Sequence, residues 1–507
     1  MTSYSKEKKI NTTHEMQNNP IKKHYWGIGL ENETYLQIQE VHRVSGKFIQ
    51  ERMGRERYSI DYLKCYKPGV LDRVLTSAFE TDRNYFVSRM MNSHSLDKLD
   101  IYYEHKTILS APPLQDNPKY SGESILELFL KSQPHQIKSM LTQKDNPMGC
   151  ILFDGDTVEF VTKYFENRIV DETFQELKAS KQLFLDALND SGIFPNKLSY
   201  PAYNFGINMF MSNQKNLVLF NNGTFHFHFT LPTSTIDSKI EDYQAFDEMH
   251  NRAIYLLQWI EPLFIATLGS PDVFAAAVSM KETGDLFAGG SMRNAMSRYT
   301  GIGTYHVSMP KGKVLTFPVE EFRKLLKFKK EDCIWWRDQI EQNMSYQLLN
   351  DLGLDFNREK LYQSGFEFRS FDEFPMSHLK EVLQSIVLVC EHATHLNQVE
   401  WAHDHISWNN LVYRALRDGY KTTIEENEKH DVLSIFGFLE KDEIQFLDCT
   451  LLSDFFFKLL HVLFEKYSNQ NFIMDSLLGK PLENAPRWEN FNEYQFNQHI
   501  QQLTPID

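Results

Sequence analysis

The chain has 507 residues, enough to bury a large core, and its 42% hydrophobic and 13% aromatic content is that of a globular protein. A formal charge of -15 argues against a generally basic surface of the kind that displaces counterions from nucleic acid. The five cysteines, Cys65, Cys150, Cys333, Cys390 and Cys449, lie far apart with no CxxC pair, which excludes a zinc ribbon and a disulfide framework and leaves reduced intracellular thiols as the expectation.

Residues 1–23 are polar and lack an apolar h-region, so they are expected to form a flexible tail rather than a secretory signal. His24 to Gln39 has the alternation of a strand. Glu40 to Cys150 is mixed in character, with no repeat, and is expected as an inserted or divergent region. Its Arg52, Arg55, Arg57, Lys64 and Lys67 could meet a phosphate, but a solvated face is the favoured reading. Ile151 to Thr162 is a strand interrupted at Asp154-Gly155-Asp156, and Glu172 to Ser191 carries helical apolar spacing through Phe174, Leu177, Phe184 and Leu188, ending at Gly192.

Leu217 to Phe220, the turn Asn221-Asn222-Gly223 and the run GTFHFHFTLP to Pro232 read as a hairpin. A long helix is expected from Asp237, with Ser234 and Asp237 as cap candidates. Its most apolar stretch, Ala253 to Leu268, is broken by Glu261-Pro262, which makes it a buried helix rather than a membrane span. Further helices are expected at Ser377 to Leu396, capped by Ser377, at Ser407 to Asp418 and at Asp454 to Tyr467, so that the chain is mostly helical from about residue 377. Strands interleaved with long helices and no regular βαβ rhythm indicate an α+β fold with a largely antiparallel sheet, expected to be cytoplasmic.

Four strand segments place ionisable groups on one face and apolar groups on the other: Glu31 and Glu33, then Glu159, then His226 and His228, then Glu367 and Arg369. Any one of these strands is unremarkable as a half-exposed strand or a surface ion pair. Together they repeat a desolvation cost of several kcal/mol per carboxylate that cations would relieve. Glutamates with an imidazole suit Mg²⁺ or Mn²⁺, and such ions commonly serve phosphoryl transfer, with arginines such as Arg369, Arg293 and Arg298 neutralising the phosphoryl charge. Gly27 to Gly29 and Gly301 to Gly303 lack the third glycine of a dinucleotide fingerprint, and His403-Asp404-His405 fits a solvated cap region.

In order, GIGLENE, VEFVT, GTFHFHFTLP, MRNAMSRYTGIG, GFEFRSFDEFP and SWNNLVYRALRDGYK resemble the glutamate–cysteine ligase family of the glutamine-synthetase-like carboxylate–amine ligases, from about Trp26 to about Lys421. The resemblance implies one ligase domain over residues 24–507, with a curved antiparallel sheet forming a funnel-like active site covered by long helices. It implies ATP-dependent amide formation through an acyl phosphate, in glutathione biosynthesis, with ATP and Mg²⁺ (or Mn²⁺) as cofactors. Its partners would be small molecules, without nucleic acid or membrane. Carried over by motif, Glu31, Glu33, Glu159, His226 and Glu367 match metal and nucleotide ligands and Arg369 a catalytic phosphate-facing arginine. Arg293, also catalytic, and Tyr299 match substrate-gripping residues, and Asp154 or Asp156 a further metal ligand.

His228 stands where the bacterial family tends to have asparagine, giving either another metal ligand or an altered substrate pocket. No arginine lies between Arg168 and Arg252, a stretch where the family carries basic residues near its substrates, and Lys197 and Lys215 are the nearest candidates. The acid and amine are therefore open, and an amidoligase acting on a different pair, such as a peptide or protein, stands beside glutamate–cysteine ligase proper. A metal-dependent hydrolase or cupin-like enzyme using His226 and His228 is a third reading, weakened because the next glutamate after His228 is Glu241. A catalytically silent module is a fourth, disfavoured by the intact charged set.

Overall fold

Alternation sets the first strand: in Lys22–Thr34 (β1), Ile28, Leu30, Asn32 and Thr34 are buried on one face, while Glu31 and Glu33 on the other are only half-buried. The computed structural model describes residues 22–34, 37–38, 139–140, 149–154, 157–163, 166–192, 197–200, 223–237, 239–271, 290–291, 354–357, 365–400, 402, 405–439, 444–468 and 475–503. β1 thus begins inside the stretch expected as a tail, because Lys22 and Lys23 pair with Ile236 and Thr235. The expected strand Leu217 to Phe220, and residues 40–150 apart from 139–140 and 149–150, lie outside the described residues.

The other strands are Gln37–Ile38 (β2), Ile151–Asp154 (β3), Thr157–Val161 (β4), Leu198–Ser199 (β5), Thr224–Ile236 (β6), Lys239–Ile240 (β7), Leu354–Asn357 (β8) and Gly365–Asp372 (β9). The main sheet runs β3-β4-β1-β6-β9-β8, with β7 against β6, and β2 pairs β5 separately; every pairing is antiparallel. With the helices described below, this is an α+β fold.

β6 runs past Pro232, where the sequence suggested a stop. The register shifts between Tyr25 and Gly27, so that Trp26 opposes both Leu231 and Pro232, a bulge in which a residue without an N–H is tolerated. The Leu231 N–H turns out of the ladder and donates to His250 Nε2 at 2.9 Å. The helix expected from Asp237 starts later. Thr233, Thr235 and Ile236 continue the strand, Asp237 (φ 48°) makes the turn into β7, and Asp242 caps Tyr243–Leu268 by accepting from the Ala245 N–H at 3.0 Å.

Before β5, Val170–Asp190 (α1) presents Leu177, Phe184 and Leu188 to the core, and Gly192 (φ 69°) follows its end as expected. Tyr243–Leu268 (α2) is buried from Ala253 to Leu268. It passes straight through Pro262, whose missing N–H would leave the Gln258 carbonyl without its helical partner; the Trp408 indole N–H donates to that oxygen at 2.7 Å. The remaining helices are Met376–Thr394 (α3), Ile406–Asp418 (α4), Glu426–Ile435 (α5), Leu452–Tyr467 (α6), Asp475–Leu478 (α7) and Phe491–Leu503 (α8). At α3 it is Pro375 rather than Ser377 that occupies the cap position; Ser377 lies inside the first turn.

The helices pack on the apolar face of the sheet. Phe225, Phe227, Phe229, Phe366, Phe368 and Phe371 are all buried there, and Phe264 of α2 lies 4.9 Å from Phe371 and 5.8 Å from Phe368, centroid to centroid. Cys150, Cys390 and Cys449 are free and buried, and among the described residues no helix is long and apolar enough to cross a membrane.

Candidate functional site

Register decides which polar groups meet. Glu31 of β1 stands opposite His226 of β6, and His228 stands opposite Glu367 of β9, so three neighbouring strands, about 4.8 Å apart, bring their polar faces together. A second bulge lies between these pairs: Arg369 and Ser370 together oppose His226. Arg369 stays beside Glu367 on the polar face, while Ser370 turns into the core and donates to Glu261 Oε1 at 2.8 Å.

The contacts are close. His226 Nδ1 lies 2.9 Å from Glu31 Oε2 and 3.3 Å from Glu367 Oε1, so one imidazole spans both carboxylates. His228 Nε2 lies 3.1 Å from Glu31 Oε1 and 3.8 Å from Glu367 Oε1. Arg369 Nη1 donates to Glu367 Oε1 at 2.6 Å. His226 is almost completely buried, whereas the His228 side chain keeps 34% of its exposure and is the member of the group that reaches solvent.

Electrostatics follow from that geometry. Burial alone would push Glu31 up, but His228 and His226 outweigh it and hold the carboxyl well below its usual value. Burial likewise disfavours charge on His228; Glu367 and Glu31 outweigh both it and the opposing Arg369, and raise the imidazole to about 9. At neutral pH, with no cation bound, the Glu31 carboxylate therefore faces a protonated His228, and a cation ligated by that ring nitrogen would displace its proton.

Ligand atoms of Glu31, His228 and Glu367 all lie within 4.8 Å of one another, a donor set able to hold a cation. The arrangement differs in detail from expectation. His226, expected as a ligand, turns Nδ1 to the carboxylates; of the two roles expected for His228, a further metal ligand or an altered substrate pocket, the geometry offers the first. Glu33 and Glu159 are direct register partners across β1 and β4, one pleat further along. Asp154 ends β3 opposite Thr157. Asp156, Arg293 and Tyr299 lie outside the described residues.

Some residues around the site were not singled out from sequence. Asp355 stands opposite Glu367 in the β8–β9 register, and Lys181, Asn32, Thr34 and Glu373 form a buried polar group on the other side of the sheet. Lys181 falls on the apolar stripe of α1 between Leu177 and Phe184, and that misplaced charge was the available signal.

The fold and this cluster define the class: an α+β protein whose antiparallel sheet is covered by helices on its apolar face and gathers carboxylates, histidines and an arginine on the other. No family model matches the chain. It is 35% identical over 497 residues to "Uncharacterized protein R704" of Acanthamoeba polyphaga mimivirus, an alignment covering 95% of this chain and 82% of the relative. The chain belongs to the family of that mimivirus protein.

Proposed function

We propose that this chain is an ATP-dependent carboxylate–amine ligase. The observation that carries the reading is the convergence of Glu31 and Glu367, from two different strands, on His226 and His228, with Arg369 bonded to Glu367. Two carboxylates and one imidazole fit Mg²⁺ or Mn²⁺, and Glu31, His228 and Glu367 are the residues that would hold the ion. A divalent ion there supplies charge neutralisation for nucleotide phosphates.

The chain's own groups do the rest. His226 holds both carboxylates in place through Nδ1, and Arg369 offers a fixed positive charge where a transferred phosphoryl group would develop its own. Holding the acid and the nucleotide in line would convert an encounter of two molecules into an intramolecular step. In this reading the polar face is the wall of a funnel, with ATP at one end and the acid at the other. Arg293 and Tyr299 would grip the acid, and Glu33, Glu159 and Asp154 or Asp156 would extend the ligand set. The motif resemblance supports glutamate as the acid and cysteine as the amine, in the cytoplasm and in glutathione synthesis; His228 leaves a second pair, such as a peptide or protein, as the alternative. A hydrolase or oxygenase built on both histidines has less support, because among the described residues the cation-binding donor set includes His228 but not His226.

The test is ADP formation by the purified chain with ATP and Mg²⁺, with glutamate and cysteine given separately and together, and the product identified by mass. ADP only with both, and their dehydrated adduct, is the expected result, and Glu31→Gln or Glu367→Gln abolishes it with the fold intact. Turnover with an acid but indifferent to cysteine moves the amine. Normal activity in both variants would overturn the site assignment.

A further inference from the structure

On the apolar side of the sheet, directly behind the candidate cation site, lies a buried ion pair that the reaction scheme does not use. Lys181 of α1 is 7% exposed; its Nζ donates to Asn32 Oδ1 and lies 3.8 Å from Glu373 Oε1 and 4.5 Å from the centre of the Tyr200 ring. Burial pulls the Lys181 amine down, opposed by Glu373, and pushes the Glu373 carboxyl up, opposed by Lys181 and the hydrogen bonds from Thr34 and Asn32. A well-packed apolar side chain at Lys181 would serve stability at least as well, since buried pairs seldom repay their desolvation.

What the pair does instead is tie strands. Asn32 sits between Glu31 and Glu33, and its Nδ2 donates to the Thr224 carbonyl of β6 at 2.9 Å. The Thr34 hydroxyl of β1 donates to Glu373 Oε1 at 2.6 Å, and the Glu373 N–H, just past β9, donates to the Gly223 carbonyl at the start of β6 at 2.6 Å. Gly223 leaves no room for a side chain there: a Cβ would stand 2.1 Å from Glu373 Oε2 and 2.8 Å from the Glu33 carbonyl. Thr224 Oγ1 closes the set by donating to the Phe371 carbonyl at 2.7 Å. One knot thus fixes β1, β6 and β9 at the same end, beyond the bulge at His226, and these are the strands that supply Glu31, His228 and Glu367.

We propose that Lys181 and Glu373 are positioning residues for the cation site: they pin the relative register of the three strands so that the Glu31, His228 and Glu367 ligand atoms stay within reach of one ion. Removing the amine leaves Asn32 Oδ1 and Glu373 without their common donor and loosens the tie between β1 and the end of β9, which lets Glu31 and Glu367 move apart without unfolding the sheet. The inference rests on reading that cluster as a cation site.

The experiment titrates the full chain with Mn²⁺ alone, by calorimetry and by the Mn²⁺ paramagnetic resonance spectrum, for the wild type, Lys181→Met, Glu373→Gln and Leu411→Ala. Leu411 is a buried residue of α4 outside the knot and serves as a control for lost stability. The expected result is wild-type binding, about tenfold weaker binding with an altered spectrum in Lys181→Met, a smaller loss in the nearly isosteric Glu373→Gln, and wild-type affinity in Leu411→Ala despite its lower melting temperature. If Lys181→Met fails to fold, Glu373→Gln carries the test alone. Wild-type affinity and spectrum in the knot variants, or an affinity that merely follows melting temperature across all of them, overturns the positioning role while leaving the cation site standing. No Mn²⁺ binding by the wild type overturns the cation reading and this inference together.

Discussion

Glu261 shows how one buried group can be read as a pH-dependent stability term. It is fully buried within the apolar α2, accepts from the Ser370 hydroxyl, and is pushed well above its ordinary value of 4.5 by burial, with the Ser370 bond opposing. The folded chain therefore keeps a proton that the unfolded chain releases, so its stability falls as pH rises from 4.5 toward the folded value, by about 1.4 kcal/mol per pH unit within that window. Glu261→Gln removes the term, because the amide oxygen still accepts from Ser370 and carries no charge. The difference in melting temperature, variant minus wild type, should grow in the variant's favour between pH 5 and pH 8. A difference independent of pH would mean that folding does not raise the Glu261 carboxyl above its unfolded value.

At the scale of elements, the two bulges and the glycine that opens β9 set which side chains face the site. Gly365 has φ 146°, a conformation costly for any other residue, and a Cβ there would lie 2.0 Å from the Phe229 carbonyl. Gly365→Ala should cost about 1–3 kcal/mol from backbone strain alone. It should also shift the start of β9, and with it Glu367 two residues on, so that Mn²⁺ affinity falls together with the denaturant midpoint. Stability and affinity both at wild-type levels would show that the strand accommodates a side chain at its first position. The Trp26 bulge has its own support in His250, whose Nδ1–H donates to the Phe246 carbonyl at 2.8 Å and whose Nε2 accepts from the Leu231 N–H.

For the whole molecule, His250 and His392 predict acid sensitivity. Burial holds His250 at about 3 and His392 at about 4, each opposed by a backbone hydrogen bond. Both are neutral in the folded state, and His392 accepts from the Tyr467 hydroxyl at 2.6 Å while donating to the Phe436 carbonyl at 2.7 Å. Unfolded histidines take a proton below 6.5, so stability present above that pH is lost as pH falls toward 4, by about 1.4 kcal/mol per unit for each residue. Between pH 6.5 and 4.5 these two histidines lower the urea midpoint as pH falls, against the opposite contributions of the raised Glu261 and Glu373 carboxyls. His392→Gln, which can keep both hydrogen bonds without titrating, should flatten that drop by its share, and an unchanged slope in the variant would remove His392 from the account.

The sequence by itself determined the faces and the periods. Alternation put Glu31 with Glu33, His226 with His228 and Glu367 with Arg369 on one side of their strands and the phenylalanines on the other, and helical spacing located α1 and α3 to within a few residues. These are local properties, set by a side chain and its near neighbours. Only the tertiary structure decided the register, because pairing β1 with β6 joins residues about two hundred positions apart, and a slip of one residue would turn every side chain to the opposite face. The same limit hid Lys181 and Glu373, whose partnership follows from the packing of α1 under the sheet, and the indole that takes the carbonyl freed by Pro262, which comes from a helix far along the chain. Pattern assigns a residue to a face; which other residue it meets there is settled when distant segments pack and every buried polar group must find a partner.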